Sequence, residues 1–243
     1  MKNISIMISI ILLTFSAINL SAQTADSFFA KGMEKAVKGN NIGAIANFNK
    51  AIKANPKFEE AYKQRGIAKA EIKDYPGAIA DYNKAIELNP KQPETYNNRG
   101  ISREITGDIA GAITDYTKAI ELKPDYAMAY YNRGLTKVTM KDHKAALLDF
   151  IKAAELNPKN GDAFNNIGYA KYQLMDYKGA ILAWDKAIEL KPKFGMAYAN
   201  RGNARYSLGD EAGGCEDWKK AVELGCNEAK SAIDEFCKPK EKK

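Results

Sequence analysis

The sequence predicts an all-α chain: one helical hairpin said six times, then a short closing helix. Two observations carry this. Pro56, Pro90, Pro124, Pro158 and Pro192 stand 34 residues apart, and so do Gly32, Gly66, Gly100, Gly134, Gly168 and Gly202. A fixed period of this length marks units that pack only on their neighbours and share one continuous core, so the 243 residues need no division into separate domains.

The chain opens on a segment of another kind. Lys2 supplies a positive start, Ile4 to Ile18 is almost unbroken apolar sequence, and Leu20-Ser21-Ala22 offers a small residue before Gln23. This three-part layout is that of a secretory signal peptide over residues 1–22. The rival is a membrane anchor. The run is shorter than the roughly 20 apolar residues a spanning helix needs, and it contains Ser9, Thr14 and Ser16. No Cys lies near the cleavage point to carry a lipid. The expected address is extracytoplasmic: the periplasm of a Gram-negative-type bacterium, or secretion.

The repeats follow, at about 25–58, 59–92, 93–126, 127–160, 161–194 and 195–228. In the second, helix A is predicted from about Glu59 to Lys73, with carboxylates in its first turn where the helix dipole favours them. Asp74-Tyr75-Pro76 is read as the turn, with Pro76 at the start of the next helix, helix B as running from about Gly77 to Leu88, and Asn89-Pro90 as its stop. Small residues such as Gly66, Ala78 and Ala85 mark where the two helices approach. Large ones recur opposite them: Phe48, Tyr82, Tyr116, Phe150, Trp184 and Trp218. Their strict period reads as core, not as a cofactor box. The first unit is degenerate and the sixth drifts, as terminal repeats do when one face meets water. Residues 227–237 read as a cap whose Ile233 and Phe236 cover the last apolar face, and residues 238–243 as a basic disordered tail.

The period and the pattern aromatic, Asn-Arg-Gly, Gly-Asp, Asp-Tyr-x-Lys-Ala-Ile-Glu-Leu, Pro resemble the tetratricopeptide repeat (TPR) family over residues 25 to about 228. The resemblance implies a right-handed α-solenoid of six helix-turn-helix repeats plus a capping helix, spanning residues 25–237. It also implies that the A helices line a concave surface.

Six repeats in one chain provide an internal comparison. Arg65, Arg99, Arg133 and Arg201 each precede a repeat glycine, and Asp81, Asp115, Asp149 and Asp217 lie sixteen residues further on. The fifth unit has Ile167 and Ala183 at these places, so both partners are lost together. That points to a structural ion pair inside each repeat; the alternative is family habit without contact.

The neighbouring column holds Asn98, Asn132, Asn166 and Asn200, led by Gln64. It is similar to the asparagine ladder with which long members of the family hold extended peptides. An amide offers donor and acceptor together, so it can pair with a peptide N–H and C=O. The alternative is an Asn that is merely soluble or bonded to the next helix. Family groove positions beside the ladder include Met128, Tyr131, Leu135, Tyr169, Tyr172 and Tyr206, some of which the sequence equally allows between repeats. The Lys–Asn–Arg carboxylate clamp of the family's co-chaperones is not completed by any three consecutive units.

Charge and composition exclude other classes. The formal charge is +7, and +6 once Lys2 leaves with the leader. Lys and Glu interleave within repeats, as in Lys118 and Glu121 or Lys186 and Glu189, so no basic stripe for nucleic acid forms. The single His143 falls in an interhelix turn by period, and no metal cluster or phosphate loop accompanies it. Neither an enzyme nor a cofactor is expected. Cys215, early in the last helix B, and Cys237, at the end of the cap, lie where antiparallel neighbours meet. An oxidising compartment would join them, as in the terminal unit of many secreted bacterial relatives. The other reading is three ordinary apolar cysteines, and Cys226 is expected to stay free. The expected function is therefore a non-enzymatic adaptor that binds a protein or peptide partner along the ladder, with no nucleic acid and no membrane span in the mature chain. The alternative is a cell-envelope scaffold that holds a folded partner on its convex face or ends.

Overall fold

A computed structural model describes residues 24–237. The segment read as a signal peptide, residues 1–22, and the tail 238–243 lie outside the described residues. Thirteen helices and no strands occur among those described. The A helices are α1 (24–37), α3 (Glu59–Glu71), α5 (Pro93–Ile105), α7 (Ala127–Thr139), α9 (Gly161–Gln173) and α11 (Gly195–Ser207). The B helices are α2 (Asn41–Ala54), α4 (Tyr75–Leu88), α6 (Ile109–Leu122), α8 (His143–Leu156), α10 (Tyr177–Leu190) and α12 (Glu211–Glu223). The last helix is α13 (Ala229–Phe236). The fold is an all-α helical repeat of the solenoid class. It falls into two compact units, one ending at Lys123 and the other starting at Pro124. Within each, the A helices from α3 onward pack on their own B helix and the B helices on the next A helix, and α1 meets α2 through Phe29 and Phe48.

The turn between A and B differs from the sequence expectation. Tyr75 and Pro76 belong to α4, and the helix starts two residues earlier, because Asp74 is the N-cap and accepts from Gly77 N at 3.0 Å. The same cap recurs as Asp108, Asp142, Asp176 and Asp210, with Asn40 in the first unit. Each such bond satisfies an orphan helix N–H and contributes about 0.5–2 kcal/mol. The residue just before each cap has positive φ: Gly39, Lys73, Gly107, Lys141, Met175 and Gly209. The chain reverses there, and glycine fills only three of the six places. At the other end of each hairpin, residues such as Asn89 and Lys123 are extended before the repeat proline, which ends helix B. Helix α3 ends at Glu71, two residues short of expectation, and the final helix is shorter than residues 227–237 at both ends.

Glycine and aromatic columns meet inside each hairpin. A Cβ at Gly66 would stand 2.7 Å from Tyr82 Cε1, and one at Gly134 2.7 Å from Phe150 Cε1. Only a bare Cα lets the ring lie flat on helix A. Phe48, Tyr82, Tyr116, Phe150, Trp184 and Trp218 are accordingly buried, flanked by buried alanines such as Ala78, Ala85, Ala146 and Ala153. In the atypical first unit, Phe29 does part of this work, at 5.6 Å from Phe48 and 4.9 Å from Phe58. At the far end Phe236 of α13 covers Tyr206 at 4.7 Å and Trp218 at 6.0 Å. Cys215 and Cys237 form a disulfide that ties α12 to the end of α13, and Cys226 is free and buried.

Candidate functional site

The charged columns tie helix A to helix B within a repeat. Arg65 is paired with Asp81, and Arg99, Arg133 and Arg201 lie 2.6, 2.7 and 2.6 Å from Asp115, Asp149 and Asp217. A second cation completes each site: Lys69 at 2.8 Å, Arg103 at 2.9 Å, Lys137 at 2.7 Å and Arg205 at 3.0 Å. The four aspartates are buried, so two cations and the fork of the arginine replace their lost water. Each arginine also lies over an aromatic ring, Tyr62, Tyr96, Tyr130 or Tyr198, at 5.3–5.7 Å. The pairing is not confined to one repeat. Arg65 donates to Asn49 at 2.6 Å, Arg99 to Asn83 at 2.7 Å and Arg201 to Asp185 at 2.6 Å, all in the preceding repeat. Burial works against the charge on Arg201, but its hydrogen bonds to Asp217 and Asp185 outweigh burial and raise its pKa. In the fifth repeat Ile167 and Ala183 join an apolar cluster, and Lys171 turns to Asp176 at 3.1 Å.

The face of the A helices carries the amide column. In the first unit, Gln64 donates to Glu60 at 2.8 Å, and Lys63 lies 2.6 Å from Glu60 and 3.1 Å from Gln92. Gln92 in turn bonds Glu59, whose pKa is raised by burial and by the nearby Glu60 charge. This end of the face is thus closed upon itself. Asn98 is different: with Ile67, Tyr75, Tyr82 and Ile101 it lines a cavity of about 190 Å³.

In the second unit, Asn132 lines a cavity of about 500 Å³ with Tyr126, Met128, Tyr131, Asn157 and Asn160. Met128 is 57 % exposed, and Leu135 and Met196 are exposed too. Asn200 lines two cavities, of about 140 Å³ against Tyr169, Tyr172 and Trp184, and about 250 Å³ against Met196, Trp218 and Cys226. Asn166 is bound internally: it donates to Tyr131 Oη at 3.0 Å and accepts from Asn165 at 3.3 Å. Burial pushes the Tyr131 phenol above its usual range, with Asp162 adding to it.

Three of the tyrosines read as groove residues are largely packing residues. Tyr172 lies 5.2 Å from Tyr177 and 6.1 Å from Trp184, Tyr206 lies 5.5 Å from Trp218, and Tyr169 packs on the Trp184 cluster with His143 at its edge. Tyr169 and Tyr172 form part of a cavity wall beside Asn200, whereas Tyr206 is packed between Trp218 and Phe236. Asn203 was missed by sequence reasoning. It accepts from Trp218 Nε1 at 2.8 Å and lines both cavities beside Asn200. Its place in the period, shared with Ile67, Ile101, Leu135 and Tyr169, was the available signal. No cluster of His, Cys, Asp and Glu fit to hold a metal, and no helix long and apolar enough to cross a membrane, occurs among the described residues.

Comparison with known proteins places these features in context. A family profile described as TPR repeat matches residues 68–103 and 105–141, and one described as tetratricopeptide repeat matches 127–160 and 161–194. No curated protein gives a significant match. Among solved structures, MamA is 28% identical over 70% of this chain and 93% of its own, with a TM-score of 0.65. YrrB, described as a TPR protein with an unusual peptide-binding site, is 22% identical over 77% of this chain and 97% of its own, at 0.68. PilF of Pseudomonas aeruginosa is 18% identical over 88% and 99%, at 0.75. The last two likenesses concern the fold alone.

Proposed function

Because this chain is built of tetratricopeptide repeats, we propose that it is a non-enzymatic adaptor that holds an extended peptide segment of a partner protein on its A-helix face. One observation carries the reading: Asn98, Asn132 and Asn200 each line a cavity next to apolar or aromatic side chains. An amide there pairs with a peptide backbone, while Met128, Leu135 and Met196 receive side chains. Each such hydrogen bond contributes about 0.5–1.5 kcal/mol net, so capture depends on several together. Asn166 acts indirectly, by orienting Tyr131 at the rim of the Asn132 cavity.

The reading places the mature chain outside the cytoplasm, where the Cys215–Cys237 bridge persists. The test is selection of unstructured peptides from a display library against the full chain. Selected peptides should bind an Asn132→Ala/Asn200→Ala variant about 10-fold or more weakly, the sum of two to four lost bonds. Unchanged affinity in that variant would remove the A-helix face as the site. The second reading, a cell-envelope scaffold holding a folded partner, is favoured by exposed leucines on the B helices.

A further inference from the structure

Two B helices of the second unit carry a feature that the other repeats lack. Leu148 of α8 is 65 % exposed and Leu182 of α10 is 70 % exposed. The same register position holds Ala46, Ala80, Thr114 and Glu216 in the remaining repeats. Four residues earlier, on the same helical stripe, stand Lys144 and Lys178, where the others have Ile42, Pro76, Ala110 and Ala212. Leucine and lysine therefore arrive together, in two consecutive repeats only. Neither core packing nor capping accounts for them. The leucines point away from the buried Phe150 and Trp184 of their own helices.

The lysines are also in an unfavourable place. Both lie in the first turn of their helix, where the dipole favours carboxylates, and neither helix has an acidic residue there. Both are exposed, and no carboxylate engages them among the described residues. By contrast, the lysines four residues beyond the leucines are neutralised, Lys152 by Glu155 at 3.0 Å and Lys186 by Glu189 at 2.6 Å. The surface is thus positive at one end, apolar in the middle and balanced at the other.

We propose that the exposed faces of α8 and α10 dock an acidic amphipathic helix of a partner protein. Its apolar stripe covers Leu148 and Leu182, and its carboxylates meet Lys144 and Lys178. A discrete helix can place its negative charge at one end of this surface. A uniformly anionic bilayer would also press against the exposed carboxylates of Glu155 and Glu189. An exposed apolar centre with charge at its rim is the surface that an amphipathic helix covers. This surface is separate from the amide column on the A helices, so the two readings stand or fall independently.

The experiment is selection of helical peptides from a display library against the full chain, with Leu148→Ser/Leu182→Ser and Lys144→Glu/Lys178→Glu as counter-targets. Cooperative thermal unfolding with a midpoint no lower than that of the parent chain establishes that these surface variants fold. The expected clones carry carboxylates beside an apolar stripe. They bind each double variant about tenfold or more weakly and bind Asn132→Ala/Asn200→Ala unchanged. The proposal is overturned by the absence of any clone dependent on the leucines, by dependent clones that are basic or uncharged, or by loss of binding in the asparagine variant. Leucine-dependent sedimentation with phosphatidylcholine–phosphatidylglycerol vesicles, without peptide binding, would overturn it in favour of lipid.

Discussion

Asn166 donates its side-chain amide to the Tyr131 hydroxyl at 3.0 Å, joining the A helices of two successive repeats. One member of the amide column is therefore a structural bond between repeats, while Asn132 and Asn200 face cavities. Tyr131→Phe should cost about 1 kcal/mol of stability, the net value of one hydrogen bond. It should weaken capture of a peptide at the Asn132 cavity only modestly, because the Tyr131 ring still lines that cavity while losing the bond that orients it. Urea unfolding and peptide titration on the same preparation check both parts.

The buried aspartates offer a sharper test, since the fifth repeat has already removed one. Asp81→Ala alone leaves Arg65 and Lys69 facing a partly buried site without their anion, and should cost about 3–5 kcal/mol. Arg65→Ile with Asp81→Ala copies Ile167 and Ala183, and lets Lys69 turn to Asp74 as Lys171 turns to Asp176. The double variant should be less destabilised than the sum of the singles by 1 kcal/mol or more, roughly the range for coupled neighbours. A double-mutant cycle from chemical denaturation measures it, and additivity would show that the pair is not coupled.

Met175 holds φ at 61° and is 75 % exposed, so its side chain contributes little to packing. Glycine occupies the same turn position as Gly107 and Gly209. Met175→Gly should raise stability by about 1 kcal/mol, the cost of a left-handed conformation for a residue with a Cβ. Thermal unfolding would register this as a higher midpoint.

The Cys215–Cys237 bridge closes a loop of sequence separation 22. Reduction, or Cys215→Ala with Cys237→Ala, should lower stability by about 3 kcal/mol through the freed unfolded chain. Denaturation with and without reductant reads the difference directly. Protection should be lost first in α13, whose attachment to Tyr206 and Trp218 rests on Phe236.

Cys226 gives the pH dependence. Burial, then the neighbouring Glu228, raises its thiol pKa. A raised pKa in the folded chain means that the contribution to stability is complete below the ordinary thiol range. It fades as pH climbs through the folded value, because the unfolded thiol releases its proton first. Stability should therefore decline on the alkaline side, and Cys226→Ala should remove part of that decline. In the native protein Cys226 should alkylate more slowly than in urea at the same pH, which a timed mass measurement resolves.

The repeat frame was legible because every constraint in it is local and recurs. A glycine under an aromatic ring, an Asp at the start of helix B and a Pro after its end each leave a mark every 34 residues. The Arg and Asp columns were legible for the same reason, helped by their joint loss at Ile167 and Ala183. Pro76 was correctly read as opening helix B, but the helix start was set two residues late because the Asp74 cap was not recognised.

What the chain's own period determined is the secondary structure, the core and the pairing of residues sixteen apart within a hairpin. What only the tertiary structure decided is how equivalent positions come to differ. It bound Asn166 to Tyr131 and left Asn132 and Asn200 facing cavities. It sent Arg201 on to Asp185 in the repeat before, and packed Tyr172 against Trp184 and Tyr206 against Trp218. The reason is physical: burial and hydrogen-bond partners at a given position are set by the neighbouring repeat, and each repeat has a different neighbour.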